Sequence, residues 1–178
     1  SNDTNDTNDD DDMPHWRLKR PIMIMSDEYA NILDGIKADD NKYGYFWELC
    51  KAYNIHNKQS NLKIIKHMEC GKDDLLKFHT NDYVEILEDC ENYDDYMNCN
   101  DDEKELINTY GLMDDNYIFP GLYKYCKSIV GANLQCSYII KNELSRVVIN
   151  FGGGRHHAKD NKANGFCYVN DIIILIDD

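Results

Sequence analysis

Arg146-Val147-Val148-Ile149-Asn150-Phe151-Gly152-Gly153-Gly154-Arg155-His156-His157 reads as a strand running into a glycine turn that carries two imidazoles. After a polar stretch the chain continues Gly165-Phe166-Cys167-Tyr168-Val169-Asn170-Asp171. The apolar run through Ile149 predicts a buried strand over Arg146–Phe151. Three successive glycines let the backbone turn sharply and approach a ligand closely, since no Cβ restricts φ. Two adjacent histidines held there can divide acid and base duties at neutral pH, because an unperturbed imidazole titrates near pH 6.5. Polar groups at the carboxyl end of a strand are where open α/β sheets place their chemistry.

The flanking segments alternate strand and helix. Upstream, Phe119 to Lys141 has the spacing of one long helix, with Leu122, Tyr125, Cys126, Ile129, Val130, Leu134 and Ile139 apolar. Downstream, Asn170 and Asp171 offer caps for a helix that begins at Ile172. Near the start, Pro21–Met25 is an apolar run suited to a central strand. Ser26 then caps a helix through about Ile36, with Tyr29, Ile32, Leu33 and Ile36 on one face. Lys37–Lys42 reads as a loop, and Tyr45–Tyr53 as a helix packing through Phe46, Leu49 and Cys50. Leu62–Met68 is a second strand. Lys72–His79 and Thr80–Leu87 are two short helices, the second with Thr80 as its cap and Tyr83, Val84 and Leu87 as its apolar stripe. Asp89–Glu105 is acidic, Asn-rich and nearly without periodicity, which predicts an exposed, mobile insertion. The whole is an α/β pattern, a mainly parallel sheet flanked by helices. Three strands are few for a sheet buried on both faces, so the sequence reads as truncated.

Bulk properties narrow the function classes. The chain has 178 residues, a hydrophobic fraction of 42% and a formal net charge of -14. Asp3, Asp6, Asp9, Asp10, Asp11 and Asp12 lie in a polar stretch with no apolar residue before Met13, so residues 1–20 are expected to be an acidic, disordered tail. The remainder is still acidic, which argues against direct nucleic-acid binding and suits basic partners. Cys50, Cys70, Cys90, Cys99, Cys126, Cys136 and Cys167 form no CxxC pair, and their odd number suits buried thiols in a reducing compartment. No apolar run approaches the ~20 residues that span a bilayer, so no membrane association is expected.

Taken alone, the glycine turn could bind a phosphate, and a His-His pair could be structural. The combined string is more specific. Asn150-Phe151-Gly152-Gly153-Gly154-Arg155-His156-His157-Ala158-Lys159 with Ala163-Asn164-Gly165-Phe166-Cys167-Tyr168-Val169-Asn170-Asp171 closely resembles the zinc-dependent histone deacetylase family, class I type. Phe78-His79-Thr80-Asn81-Asp82-Tyr83, Ser26-Asp27-Glu28-Tyr29 and Asp115 through Tyr123 extend the likeness. It covers residues 21–178, which would be the amino-terminal part of an arginase/deacetylase-like catalytic domain.

The resemblance implies roles. His156 and His157 match the paired catalytic histidines, with His157 the base toward water and His156 an electrostatic stabiliser. Phe166 matches an aromatic wall of an apolar channel around the acetyl-lysine stem, and Gly165 the glycine whose backbone lies against it. Asp115 matches a rim aspartate that accepts hydrogen bonds from substrate backbone N–H groups. Read without the resemblance, Phe166 could be core and Asp115 a turn residue, while His79 is better read as a packing histidine and Cys167 as a buried neighbour. The implied cofactor is zinc, with ligands expected beyond residue 178, and potassium belongs to the same family pattern. Acetylated lysines of histones or other proteins would be the substrates, within a corepressor-type complex, in the nucleus and also the cytoplasm. On that reading the fragment alone is inactive, and the alternative is a non-catalytic, deacetylase-like interaction module. The chain departs from the family pattern at Asn116-Tyr117, where Cys-Pro is usual, at Asp114, at Arg155, and at Lys42, which stands for an arginine.

Overall fold

The computed structural model describes residues 19–36, 41–57, 61–92 and 99–178. Ile22, Met23 and Ile24 form β1 (Ile22–Ile24), and all three are buried. A parallel strand with neighbours on both sides is covered on both faces, so an unbroken apolar run belongs there. β1 pairs in parallel with β2 (Lys63–Ile65), Ile22 opposite Lys63, and with β3 (Val148–Ile149), Ile22 opposite Val148. The sheet order is β2-β1-β3. The strand predicted over Arg146–Phe151 is therefore short, and it lies at the edge of the sheet formed by the described residues. Its two residues are half-buried and Val147 is 51% exposed; among the described residues β1 is the strand that flanks it. Phe151 leaves the sheet and meets Phe46, with ring centroids 4.4 Å apart.

Parallel neighbours cannot be joined by a hairpin, so helices make the connections. The Ser26 hydroxyl accepts the Tyr29 N–H at 3.1 Å and starts α1 (Asp27–Leu33), as its cap chemistry predicts. α2 (Lys42–Ala52) packs on α1, but through Tyr43, Trp47 and Cys50 rather than through Leu49, which is exposed. Its first turn is capped from outside: the Asp34 carboxylate accepts the Tyr43 and Gly44 N–H groups at 3.0 and 2.7 Å. Of the expected loop over residues 37–42, positions 37–40 lie outside the described residues and Lys42 opens α2. Of the expected tail over residues 1–20, positions 1–18 also lie outside them.

α3 (Lys72–Leu75) and α4 (Asn81–Asp89) match the two short helices, although the Thr80 side chain makes no capping hydrogen bond. The expected acidic insertion is corrected in its second half, where α5 (Asp101–Thr109) forms. Asn100 accepts the Glu103 N–H at 2.9 Å while Glu103 accepts the Asn100 N–H at 2.8 Å, a reciprocal capping box. Acidic residues in the first turn then favour the helix dipole, and Ile107 anchors the inner face. Positions 93–98 lie outside the described residues.

α6 (Leu122–Lys141) is the spine of the molecule and packs against α1, α3, α4 and α7 (Asp171–Asp177). Leu122, Cys126, Ile129, Val130 and Ala132 are fully covered. Burying each larger aliphatic contributes about 1.5–3 kcal/mol. Among the described residues no helix is long and apolar enough to cross a membrane.

Candidate functional site

β3 delivers the chain to the turn Asn150–Arg155 on the side of the sheet where α7 begins. The turn is shaped by one buried carboxylate. Asp171, at the start of α7, accepts the Gly154 N–H at 2.8 Å, the Arg155 N–H at 2.6 Å and the Asn133 side-chain amide at 2.7 Å. Burial pushes the Asp171 carboxyl upward in pKa, and the Gly154 and Arg155 N–H groups pull it back. Asn133 passes the connection on by accepting from Asn150 Nδ2 at 2.8 Å, and Asn150 Oδ1 accepts from the Tyr29 hydroxyl and the Gly152 N–H. A side chain at Gly153 would come within 2.8 Å of both Asn133 Oδ1 and Asp171 Oδ2, so only glycine lets the turn lie this close to the network.

Beyond the turn, His156 and His157 sit side by side with ring centroids 4.0 Å apart and are both exposed. His156 Nδ1 lies 3.1 Å from the Gly154 carbonyl, which can only accept, so this nitrogen is the donor of the contact. Arg155 turns the other way. Its guanidinium donates to the Tyr43 hydroxyl at 2.9 Å and to the Gly152 carbonyl at 3.3 Å, and lies over the Tyr125 ring.

The second motif folds back onto the first. Gly165, in the left-handed region at φ +54°, lies against the His157 ring: a Cβ there would sit 3.2 Å from His157 Cβ and Cγ. Phe166 follows and is 46% exposed. Asp115 is exposed on a short 3₁₀ turn, Asp114–Asn116, and Phe166 donates its N–H to Asn116 Oδ1 at 3.2 Å. Asp115 and Gly165 both line a polar cavity of about 310 Å³ together with Asn116, Lys162 and Asn164. The five residues singled out in the sequence are thus neighbours along one surface. The apolar tube expected around the substrate stem is not closed by the described residues: the histidines are open to solvent and the adjacent cavity is polar.

His79 is a satisfied structural histidine. It accepts the Asn170 N–H at Nε2 (3.0 Å), and its Nδ1 faces the Asp160 carbonyl (3.2 Å), so both nitrogens are committed. Cys167 is buried beside the site. Asn170 caps α7 through the Ile173 N–H and donates to the His156 and Ala158 carbonyls, so one side chain joins the histidine segment to the helix. Sequence reasoning missed the parts played by Asp171 and Asn133 in this network. The signal for Asn133 was an amide close to the apolar stripe of α6, beside Ile129, Val130 and Leu134.

Among the described residues no group of three or more His, Cys, Asp or Glu is gathered as a metal would require. These residues do not by themselves compose a zinc site.

The fold and site define a parallel α/β protein whose glycine turn presents paired imidazoles against a Gly-Phe turn. A family model described as the histone deacetylase domain matches residues 39–178. The chain is similar to histone deacetylase B of Dictyostelium discoideum, 33% identical over 126 residues that cover 70% of this chain and 27% of that protein. It is also similar to histone deacetylase 8 of Xenopus tropicalis, 31% identical over 157 residues that cover 88% of this chain and 40% of that protein. The chain belongs to the histone deacetylase family. It spans well under half the length of these curated relatives.

Proposed function

We propose that this chain is the amino-terminal part, residues 21–178, of a protein lysine deacetylase that hydrolyses acetyl-lysine to lysine and acetate. The observation that carries the reading is the approach of Gly165 to the His157 ring, which brings the Gly-Phe turn against the exposed His156–His157 pair. His157 acts as the base that takes a proton from the attacking water. His156, its Nδ1–H held by the Gly154 carbonyl, stabilises the charge that develops beside it. Gly165 and Phe166 line one side of the acetyl-lysine stem, and Asp115 accepts hydrogen bonds from backbone N–H groups of the substrate. The zinc and potassium that the family pattern implies would be held by groups outside the described residues.

The net charge of -14 suits basic protein partners, with histones or other acetylated proteins as substrates, rather than direct nucleic-acid contact. A corepressor-type complex and nuclear residence, with the cytoplasm as a second compartment, complete the proposal. The test is turnover of an acetyl-lysine peptide by the full-length protein supplied with zinc. His157→Ala should lower kcat by about 10²–10⁴-fold, the scale of a lost general base. A full-length protein inert toward acetyl-lysine and other acyl-lysine peptides would overturn the reading and leave the interaction module in its place.

A further inference from the structure

Phe166 is held in a backbone conformation that a bulky residue rarely adopts. Its φ is +62°, next to Gly165 at +54°. Asn164 and Cys167 bracket the two residues and exchange both backbone hydrogen bonds, each at 3.0 Å. This is a tight two-residue turn whose central positions both need positive φ. Glycine meets that demand without strain, but phenylalanine does not. Strained residues persist where their surroundings over-determine them, and they cluster where a side chain must be aimed. Here the strained turn, whose Gly165 lies against His157, leaves Phe166 46% exposed, where burial would be the ordinary outcome for phenylalanine.

One side chain reaches that strained backbone from another part of the chain. Asn116 is 2% exposed, and its Oδ1 accepts the Phe166 N–H at 3.2 Å. A backbone N–H can only donate, so this bond fixes the orientation of the amide. Asn116 Nδ2 then finds no hydrogen-bond partner among the described residues. A buried donor left unmatched is costly, so what speaks for an amide here is the work of its oxygen. Two further bonds stitch the same pair of turns: the Ala163 N–H donates to the Tyr110 carbonyl at 2.9 Å, and the Tyr168 hydroxyl donates to the Tyr117 carbonyl at 2.7 Å. Asn116 is the central stitch. It also follows Asp115 directly, so the residue that fixes Phe166 is covalently joined to the rim carboxylate.

We propose that Asn116 is a positioning residue for the deacetylase site: it holds the Gly165–Phe166 turn in its left-handed form and locks the Phe166 wall to the Asp115 rim. The substrate role of Phe166 rests on the reading under Proposed function, whereas the effect of Asn116 on the Phe166 backbone does not. Asn116 touches no reacting atom. It acts through Phe166, so its loss should weaken capture of the acyl-lysine stem and leave the chemical step nearly intact.

The test uses the full-length protein with two readouts. In the first, kcat and KM are measured on an acetyl-lysine peptide for Asn116→Ala, Asn116→Asp, Phe166→Ala and the Asn116→Ala/Phe166→Ala pair. Asn116→Ala should raise KM by about tenfold, the scale of one well-placed hydrogen bond, and hold kcat within about twofold. Asn116→Asp keeps an acceptor for the Phe166 N–H and should restore KM. Asn116→Ala should add almost nothing once Phe166 is already alanine. In the second readout, 4-fluorophenylalanine is placed at position 166 and followed by fluorine NMR without substrate. A single sharp resonance should shift or broaden in Asn116→Ala and return in Asn116→Asp. An unchanged resonance in Asn116→Ala, or multiplicative effects of the two alanine variants on KM, would overturn the proposal. A wild-type protein that turns over no acyl-lysine peptide, with the resonance behaving as expected, would overturn the functional reading and the substrate role of Phe166 while leaving the positioning of its backbone by Asn116 intact.

Discussion

His79 shows how one buried ring ties stability to pH. Burial lowers its pKa below the ordinary 6.5, against the opposing pull of the Asp160 carbonyl. The ring is neutral in the folded protein and takes up a proton more readily once unfolded. Its contribution is therefore fully present above about pH 6.5 and is lost as pH falls from there through the lowered folded value. His67, also lowered chiefly by burial and stacked on Tyr29, acts in the same direction. Melting temperature measured from pH 7.5 to pH 5 should fall, and His79→Gln should make that fall shallower while lowering stability at pH 7.5. A His79→Gln variant with an unchanged slope would remove His79 from the linkage. The residue-scale roles that were readable beforehand are those whose partners stand close by, such as Ser26 capping Tyr29. Asn116 and Asn133 were not readable, because each is defined by a group 50 and 38 positions away, respectively.

Among the elements, α6 was legible because twenty residues of periodic apolar pattern outweigh any local ambiguity. α5 was not, because its evidence is a capping box in a run of acidic residues with Ile107 as its single buried side chain. β3 was recognised as a strand but not as the edge of the sheet that the described residues form, since the number of neighbours a strand has is decided by segments far from it. α6 also carries a feature where two magnitudes compete. Replacing Gly131 with alanine should favour an isolated helix by about 1 kcal/mol. The new Cβ, however, would lie 2.1 Å from the Met68 carbonyl oxygen and 2.6 Å from the Cys70 backbone nitrogen. Those are main-chain atoms of the segment after β2, and they cannot swing aside as a flexible side chain would. Sterics should win. Gly131→Ala is expected to lose about 2 kcal/mol in urea denaturation, within the usual cost of overpacking.

At the scale of the whole molecule, the parallel α/β class and the location of the site followed from one stretch of sequence, because strand, glycine turn and histidines are contiguous there. The degree to which the site is enclosed did not follow, since walls come from whatever packs over the histidines. The sheet shows a related feature on its flank. β3 is bonded to β1 on one side, and no strand among the described residues lies along its other side. Val147 is 51% exposed beside it, and Ile140 of α6, 45% exposed, lines the same surface cavity. Handled in isolation and concentrated, the 178-residue chain should therefore self-associate, and Val147→Lys should return its sedimentation toward that of a monomer. Among the described residues that flank is an unzipped seam, so the first extended peptide to lie along it, from a second copy or from another polypeptide, sets which assembly the protein enters.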